Sequence, residues 1–295
     1  MPSSARALAI GLAALSAMAA STAPAPARAA ESYDNCAGFI DSLPATIASQ
    51  GTWCLRKDLS TGMTSGIAIE VTTNNVTIDC NDFKIGGLAA GTGTETYGIY
   101  AFSRLNATVR NCNIRGFFRG IHLSGPGGGH LVEDNSLDGN TSYGMYVDGG
   151  GSTIRNNRVI DTGGSTIEFS SSAVGIYAED GVDVINNTVN GVAPELANEN
   201  ATGILTSANG EGSVSGNRVR GLAPTGTGVP RGIHSSGSVR IMIRDNDVQG
   251  PGAGMAGGVG IRCFIDLGTA RNNMVAGFAT GITGCLSSSN VVNPN

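Results

Sequence analysis

A glycine followed by an aliphatic residue returns along the chain as Gly66-Ile67, Gly98-Ile99, Gly120-Ile121, Gly144-Met145, Gly175-Ile176, Gly203-Ile204, Gly232-Ile233, Gly260-Ile261 and Gly281-Ile282. Successive glycines lie 32, 22, 24, 31, 28, 29, 28 and 21 residues apart, about 27 on average. A second mark, Asn followed two residues later by an aliphatic or aromatic residue, falls between them at Asn81, Asn135, Asn157, Asn187, Asn217, Asn246 and Asn273, with Cys112 in the same slot. Two marks that keep register over this length specify a structural repeat.

Each unit reads as three short strands. With side chains alternating at period two, the inward residues form three files. They are Ile67, Ile99, Ile121, Met145, Ile176, Ile204, Ile233, Ile261 and Ile282; Ile78, Val109, Val132, Ile154, Val184, Val214, Ile243 and Ala270; and Phe83, Ile114, Leu137, Val159, Val189, Val219, Val248 and Val275. Such a pattern predicts an all-β solenoid of about nine coils, with parallel sheets wound around one aliphatic core and rungs about 4.8 Å apart. Composition agrees: Gly is 45 of 295 residues, and hydrophobic residues reach 40% while aromatics are only 5%. The Asn file is expected in a tight turn, where Asn tolerates left-handed backbone and stacked amides bond rung to rung. Asp79, Arg110, Glu133 and Arg155 alternate in sign on adjacent rungs and read as a cross-strand charge ladder.

Residues 1–29 have the form of a signal peptide: Arg6, an apolar Ala-rich run from Ala7 to Ala20, and Ala27-Arg28-Ala29 before the cut. The chain is therefore expected to be secreted, to the periplasm or beyond, and no segment is long enough to span a membrane as a helix. Export makes disulfides the expected state of Cys36, Cys54, Cys80, Cys112, Cys263 and Cys285, which fall in three sequence pairs in that order. Fifteen pairings are open in principle; near-neighbour staples are favoured, with buried free thiols the alternative for Cys80 and Cys112.

The stretch Gly51-Thr52-Trp53-Cys54-Leu55-Arg56-Lys57-Asp58-Leu59, then Ile67-Ala68-Ile69 and Val76-Thr77-Ile78-Asp79-Cys80-Asn81, followed by the repeating coils, resembles the right-handed parallel β-helix, or pectin-lyase-like, superfamily. The resemblance runs over roughly residues 51 to 292 and implies the fold more strongly than an activity, since members include polysaccharide lyases, hydrolases, epimerases and adhesins. It implies a β-helix over 51–295, and a short helical N-terminal cap within 30–50 to cover the first open edge.

Coil length varies at one corner. The long insertions, Gly86 to Tyr97, Asp161 to Val174, Gly191 to Thr202, Gly221 to Arg231 and Gly250 to Val259, all precede the first strand of a coil. Loops stacked there are expected to wall a groove along the first sheet. In the superfamily this groove is where polysaccharides lie. Its floor, two residues after each Gly, reads Ala68, Tyr100, His122, Tyr146, Tyr177, Leu205, His234, Arg262 and Thr283; four after, it reads Glu70, Phe102, Ser124, Asp148, Glu179, Ser207, Ser236 and Phe264.

Tyr100, Tyr146, Tyr177, His234 and Arg262 are the candidate saccharide-binding residues, since sugar C–H faces stack on aromatic rings. A purely structural aromatic ladder is the competing interpretation. Asp148 and Glu179, on consecutive rungs, are the candidate acid–base pair, with carboxylates expected about 5 Å apart as in a retaining glycosidase, and His122 is the candidate base beside them. No cofactor or metal cluster is expected, although calcium could bridge the carboxylates to a uronate. Two lysines, Lys57 and Lys84, and a net charge of −7 once residues 1–29 are removed, leave little to neutralise a polyanion. Bulk attraction to nucleic acid has no support in a formal charge of −5. The functional expectation is a monomeric, polysaccharide-binding protein that cleaves or modifies its glycan; the alternative is a non-catalytic adhesin or envelope module.

Overall fold

The computed structural model describes residues 33–167, 172–207, 212–237, 240–252, 255–264 and 268–293. The expected signal peptide lies outside them. Three parallel sheets, of ten, eleven and ten strands among the described residues, run along the molecule, and each full coil adds one strand to each sheet. In the central coils the first sheet contains Tyr97–Phe102, Arg119–Ser124, Tyr143–Asp148, Ala173–Glu179 and Ala201–Ser207. Thr108–Arg110, Leu131–Glu133 and Thr153–Arg155 belong to the second sheet; Asn113–Arg115, Ser136–Asp138 and Arg158–Gly163 belong to the third.

The aliphatic files form the core. Ile99, Ile121, Met145, Ile176 and Ile204 are fully buried in register across the first sheet, as are Val109, Val132 and Ile154 on the second and Ile114, Leu137 and Val159 on the third. Burial of small branched side chains from three directions supplies the hydrophobic stabilisation that no single coil could provide.

The first coil departs from the expected register. Ile69, not Ile67, pairs with Ile99, and Ile85, not Phe83, pairs with Ile114. Ala68 is consequently buried, and Glu70 stands beside Tyr100 instead of in the file of Phe102. The turn after Asp79 carries two residues more than its successors, which offsets every following position in that coil. Asn81 is therefore outside the ladder.

That ladder begins at Asn135 and runs through Asn157, Asn187, Asn217, Asn246 and Asn273 to Asn290, one position beyond the expected file. Each amide nitrogen donates to the Oδ1 of the next Asn, at 2.9–3.1 Å, and to a backbone carbonyl of the coil behind it. The left-handed φ expected of these residues belongs instead to the residue before each: Asp134, Asn156, Asn186, Gly216, Asp245 and Asn272. The preceding residue makes the turn, leaving the ladder Asn free to point inward.

Cys36–Cys54, Cys80–Cys112 and Cys263–Cys285 are disulfides, so the near-neighbour staples hold and the free-thiol alternative falls. The expected helical cap does not form. Gly38–Phe39 and Ala45–Ile47 are strands that pair with Gly51–Cys54 and Ile67–Val71, because extended backbone is what buries Ile40 and Ile47 over the first coil. The charge ladder is present as Arg110 to Asp79 at 2.7 Å and Arg155 to Glu133 at 2.6 Å. Among the described residues no helix is long and apolar enough to cross a membrane.

Candidate functional site

The outer face of the first sheet carries a continuous file. Glu70, Tyr100, His122, Tyr146, Tyr177, Leu205, His234, Arg262 and Thr283 are cross-strand partners in that order. Tyr100 and His122 stack with centroids 5.2 Å apart, His122 and Tyr146 at 4.7 Å, and Tyr146 and Tyr177 meet edge-on at 4.8 Å. Asp148 and Glu179 are direct partners in the parallel file. The expected site residues from Tyr100 to Glu179 are thus brought together, while His234 and Arg262 lie further along the same face.

Strict alternation concealed a third outward file. In Tyr143–Asp148 both Gly144 and Met145 face inward, so the residue before the Gly returns to the outer face. Only glycine fits there, since a Cβ on Gly144 would run into Val159 of the third sheet and the carbonyl of Gly175. The residues so placed are Tyr97, Arg119, Tyr143, Val174, Thr202 and Arg231, of which Val174 and Thr202 are buried. Arg262 is the one arginine in the two outward files expected for this face, and strict alternation turns Arg119 inward. Arg110, Arg115 and Arg119, close in sequence, fall on three different sheets. The signal that could have found Arg119 and Arg231 is a repeated tetrapeptide, Arg-Gly-Ile-His at 119–122 and at 231–234.

Arg119 is enclosed by the rings of Tyr143, Phe118, Tyr146 and Tyr97, its guanidinium carbon 4.5–5.8 Å from their centroids. Its Nη1 donates to His122 Nδ1 at 2.9 Å. A guanidinium has no acceptor, so Nδ1 must accept and the ring proton sits on Nε2, which donates to Ser124 Oγ at 2.8 Å. His122 is only 7% exposed, and burial together with the neighbouring Arg119 pushes its pKa down to about 3. It is a fixed neutral imidazole, where an accessible base was expected.

The acidic side is equally connected. Tyr146 donates its hydroxyl to Glu179 Oε2, Ser207 donates to Glu179 Oε1 at 3.1 Å, and Tyr177 and Ser207 share a hydrogen bond of 2.9 Å. Burial first, then the Glu179 carboxylate, raises the Tyr146 hydroxyl well above the usual phenol range. Asp148 accepts from the Gly125 backbone N–H at 3.1 Å through Oδ2, while Oδ1 is buried without a partner. Burial, with Asp180 and Glu179 nearby, raises the Asp148 carboxyl against the opposing effect of the Gly125 and Gly149 N–H groups. Desolvated and bonded only by backbone N–H groups, Asp148 is the group best suited to hold a transferable proton.

At the corner before this sheet, the segments after Lys84–Gly86 and after Arg158–Gly163 reach one another across two short turns, Thr166 N–H donating to the Thr92 carbonyl at 3.3 Å. Further along, Thr227 and Val229 N–H donate to the Asn198 and Asn200 side chains, so the long turns stack in the rhythm of the coils. Among the described residues, no cluster of three or more His, Cys, Asp or Glu is arranged to hold a metal ion.

The family described as "Right handed beta helix region" matches residues 58–221, more than half of the sequence. The chain belongs to the right-handed β-helix family. As such a β-helix it is similar to the A-module of the mannuronan C-5 epimerase AlgE4 of Azotobacter vinelandii, at 12% identity and a TM-score of 0.45, over 88% of this chain and 87% of that one. It is also similar to DFA-IIIase from Arthrobacter chlorophenolicus, at 12% identity and a TM-score of 0.42, over 85% of this chain and 66% of that one. The Agl-KA catalytic domain resembles it at 12% identity and a TM-score of 0.38, over 84% and 58%. No match was found among curated protein sequences. At these levels the structural likenesses speak to the fold alone.

Proposed function

We propose that this β-helix is an exported protein that binds an extracellular polysaccharide along the outer face of its first sheet and performs acid–base chemistry on it at Asp148 and Glu179. The observation that carries this reading is the unbroken file Tyr100, His122, Tyr146 and Tyr177, spaced one rung apart along the solenoid axis. A pyranose unit is nearly as long as a rung, so successive sugars pass over the outward edges of the stacked file, with the tyrosine hydroxyls rather than the buried His122 in reach. Asp148 supplies the proton; Glu179, held by Tyr146 and Ser207, is the carboxylate opposite it. His122 serves as a positioning residue, because both ring nitrogens are occupied. Three disulfides agree with an oxidising compartment and with removal of residues 1–29 during export.

One observation favours a non-catalytic adhesin or envelope module instead: both Glu179 oxygens already have partners within the protein. Incubation with plant, algal and bacterial glycans separates the two, scoring reducing ends and the absorbance of unsaturated uronates, with binding followed in parallel. Binding with turnover that Asp148→Asn abolishes supports the proposal, and binding without turnover supports the adhesin. No binding to any glycan, with no change in a Tyr146→Ala/Tyr177→Ala variant, refutes the carbohydrate reading.

A further inference from the structure

The two copies of Arg-Gly-Ile-His are placed alike in their coils and differ in their surroundings. In the first, Arg119 is packed among aromatic rings and bonded to His122 Nδ1. In the second, Arg231 has Thr202 and Val259 as cross-strand neighbours, and His234 Nδ1 is buried with no hydrogen-bond partner. His234 itself is 7% exposed and stands between Leu205 and Arg262 on the outer face. Arg231 is half-buried and loses proton affinity first to desolvation and then to the like charge of Arg262. Among the described residues no carboxylate pairs with Arg231 or Arg262.

Arg231 is half-buried and Arg262 exposed, and with no carboxylate paired to either among the described residues, the two guanidinium groups favour an anion between them. The neutral imidazole beside them adds an unsatisfied nitrogen which, in the tautomer protonated at Nδ1, can donate a hydrogen bond to a small oxyanion. The three side chains come from adjacent strands, Pro230–Ser235 and Val259–Arg262, so the sheet fixes their spacing.

We propose that Arg231, His234 and Arg262 form a site for an anionic substituent of the bound saccharide, a carboxylate or a sulfate ester. This rests on the reading above and narrows it to an acidic polysaccharide. His234 is three rungs from Tyr146 in the same file, roughly 14 Å at 4.8 Å per rung. The charged unit is therefore recognised several sugars away from Asp148, and the site selects the chain without taking part in the proton transfer.

The test uses the mature protein and two matched glycan pairs: polygalacturonate with its fully methyl-esterified form, and a sulfated galactan with its desulfated form. The wild type is expected to prefer the charged member of one pair, which distinguishes carboxylate from sulfate. Arg231→Gln/Arg262→Gln should weaken that binding about tenfold or more while leaving the neutral partner unaffected, and Arg231→Lys/Arg262→Lys should retain part of it. Single Arg231→Gln and near-ultraviolet circular dichroism guard against a folding defect. Independently of any polymer, the His234 ring resonances should shift on titration with sodium glucuronate or sodium sulfate, and not in the Gln variant.

Equal affinity for charged and neutral glycans, an equal loss on both in the Gln variant, or ring resonances indifferent to both salts would overturn the site. Small-anion binding with no glycan bound at all would keep the anion site and remove the polysaccharide reading.

Discussion

His122 accepts a hydrogen bond from Arg119 three residues before it, although perfect β alternation would put those side chains on opposite faces of the sheet. The inward pair Gly120 and Ile121 makes the bond possible, and with it a half-buried guanidinium is packed among aromatic rings next to a neutral imidazole. The same tetrapeptide recurs at Arg231 and His234 without that bond, so one local sequence serves two electrostatic purposes.

The histidines make the fold acid-labile. His122 and His234 have folded pKa values pushed down to about 3 and about 4, against about 6.5 in an unfolded chain. His130 is lowered too, mainly by burial. Between the unfolded and folded values the unfolded chain binds more protons, so stability rises with pH in this window and falls as pH drops from about 6.5 toward 4. Chemical denaturation at several pH values should show this slope, and His122→Gln combined with His234→Gln should flatten it. An unchanged slope in the double variant would place the titration elsewhere.

Asp148 should trade stability against function. Its carboxyl is raised by burial, so the charged form opposes folding, and stability is lost as pH rises through its folded pKa. Asp148→Asn should keep or raise the melting temperature at neutral pH while lowering turnover of any glycan substrate by about 10²–10⁴-fold. A variant that is both less stable and fully active would contradict the assignment.

Breaking the amide ladder should be costly in the middle. Asn187 receives the Asn157 amide and backbone N–H on Oδ1 and donates to Asn217 and the Ile154 carbonyl. Asn187→Ala strands buried donors and acceptors on both sides, with an expected loss of about 2–4 kcal/mol in urea denaturation. Asn290→Ala, at the half-buried end of the ladder, should cost visibly less.

Gly203 tests the corner. A methyl group there would press on Val219 and approach the Gly232 carbonyl at 2.7 Å. Gly203→Ala should destabilise by about 1–3 kcal/mol through overpacking, and Gly203→Ala with Val219→Ala should recover part of it. Additive losses in that pair would show that the two side chains do not compete for the space.

The sequence alone specified the solenoid, most of its three aliphatic files and the file of Tyr and His on one face, because all of these follow from period-two alternation repeated once per coil, while the cysteine pairing, favoured between sequence neighbours, was decided by the fold. Tertiary structure decided what alternation cannot express. Two extra residues after Asp79 shift the third strand of the first coil, and an inward Gly-Ile pair turns Arg119 and Arg231 outward. Burial then makes His122 a fixed neutral ring and leaves Asp148 with an unpartnered oxygen. Repetition dictates which residues stack; the charge a stacked residue carries depends on how much water and how many donors its neighbours leave it, and those neighbours come from coils tens of residues away.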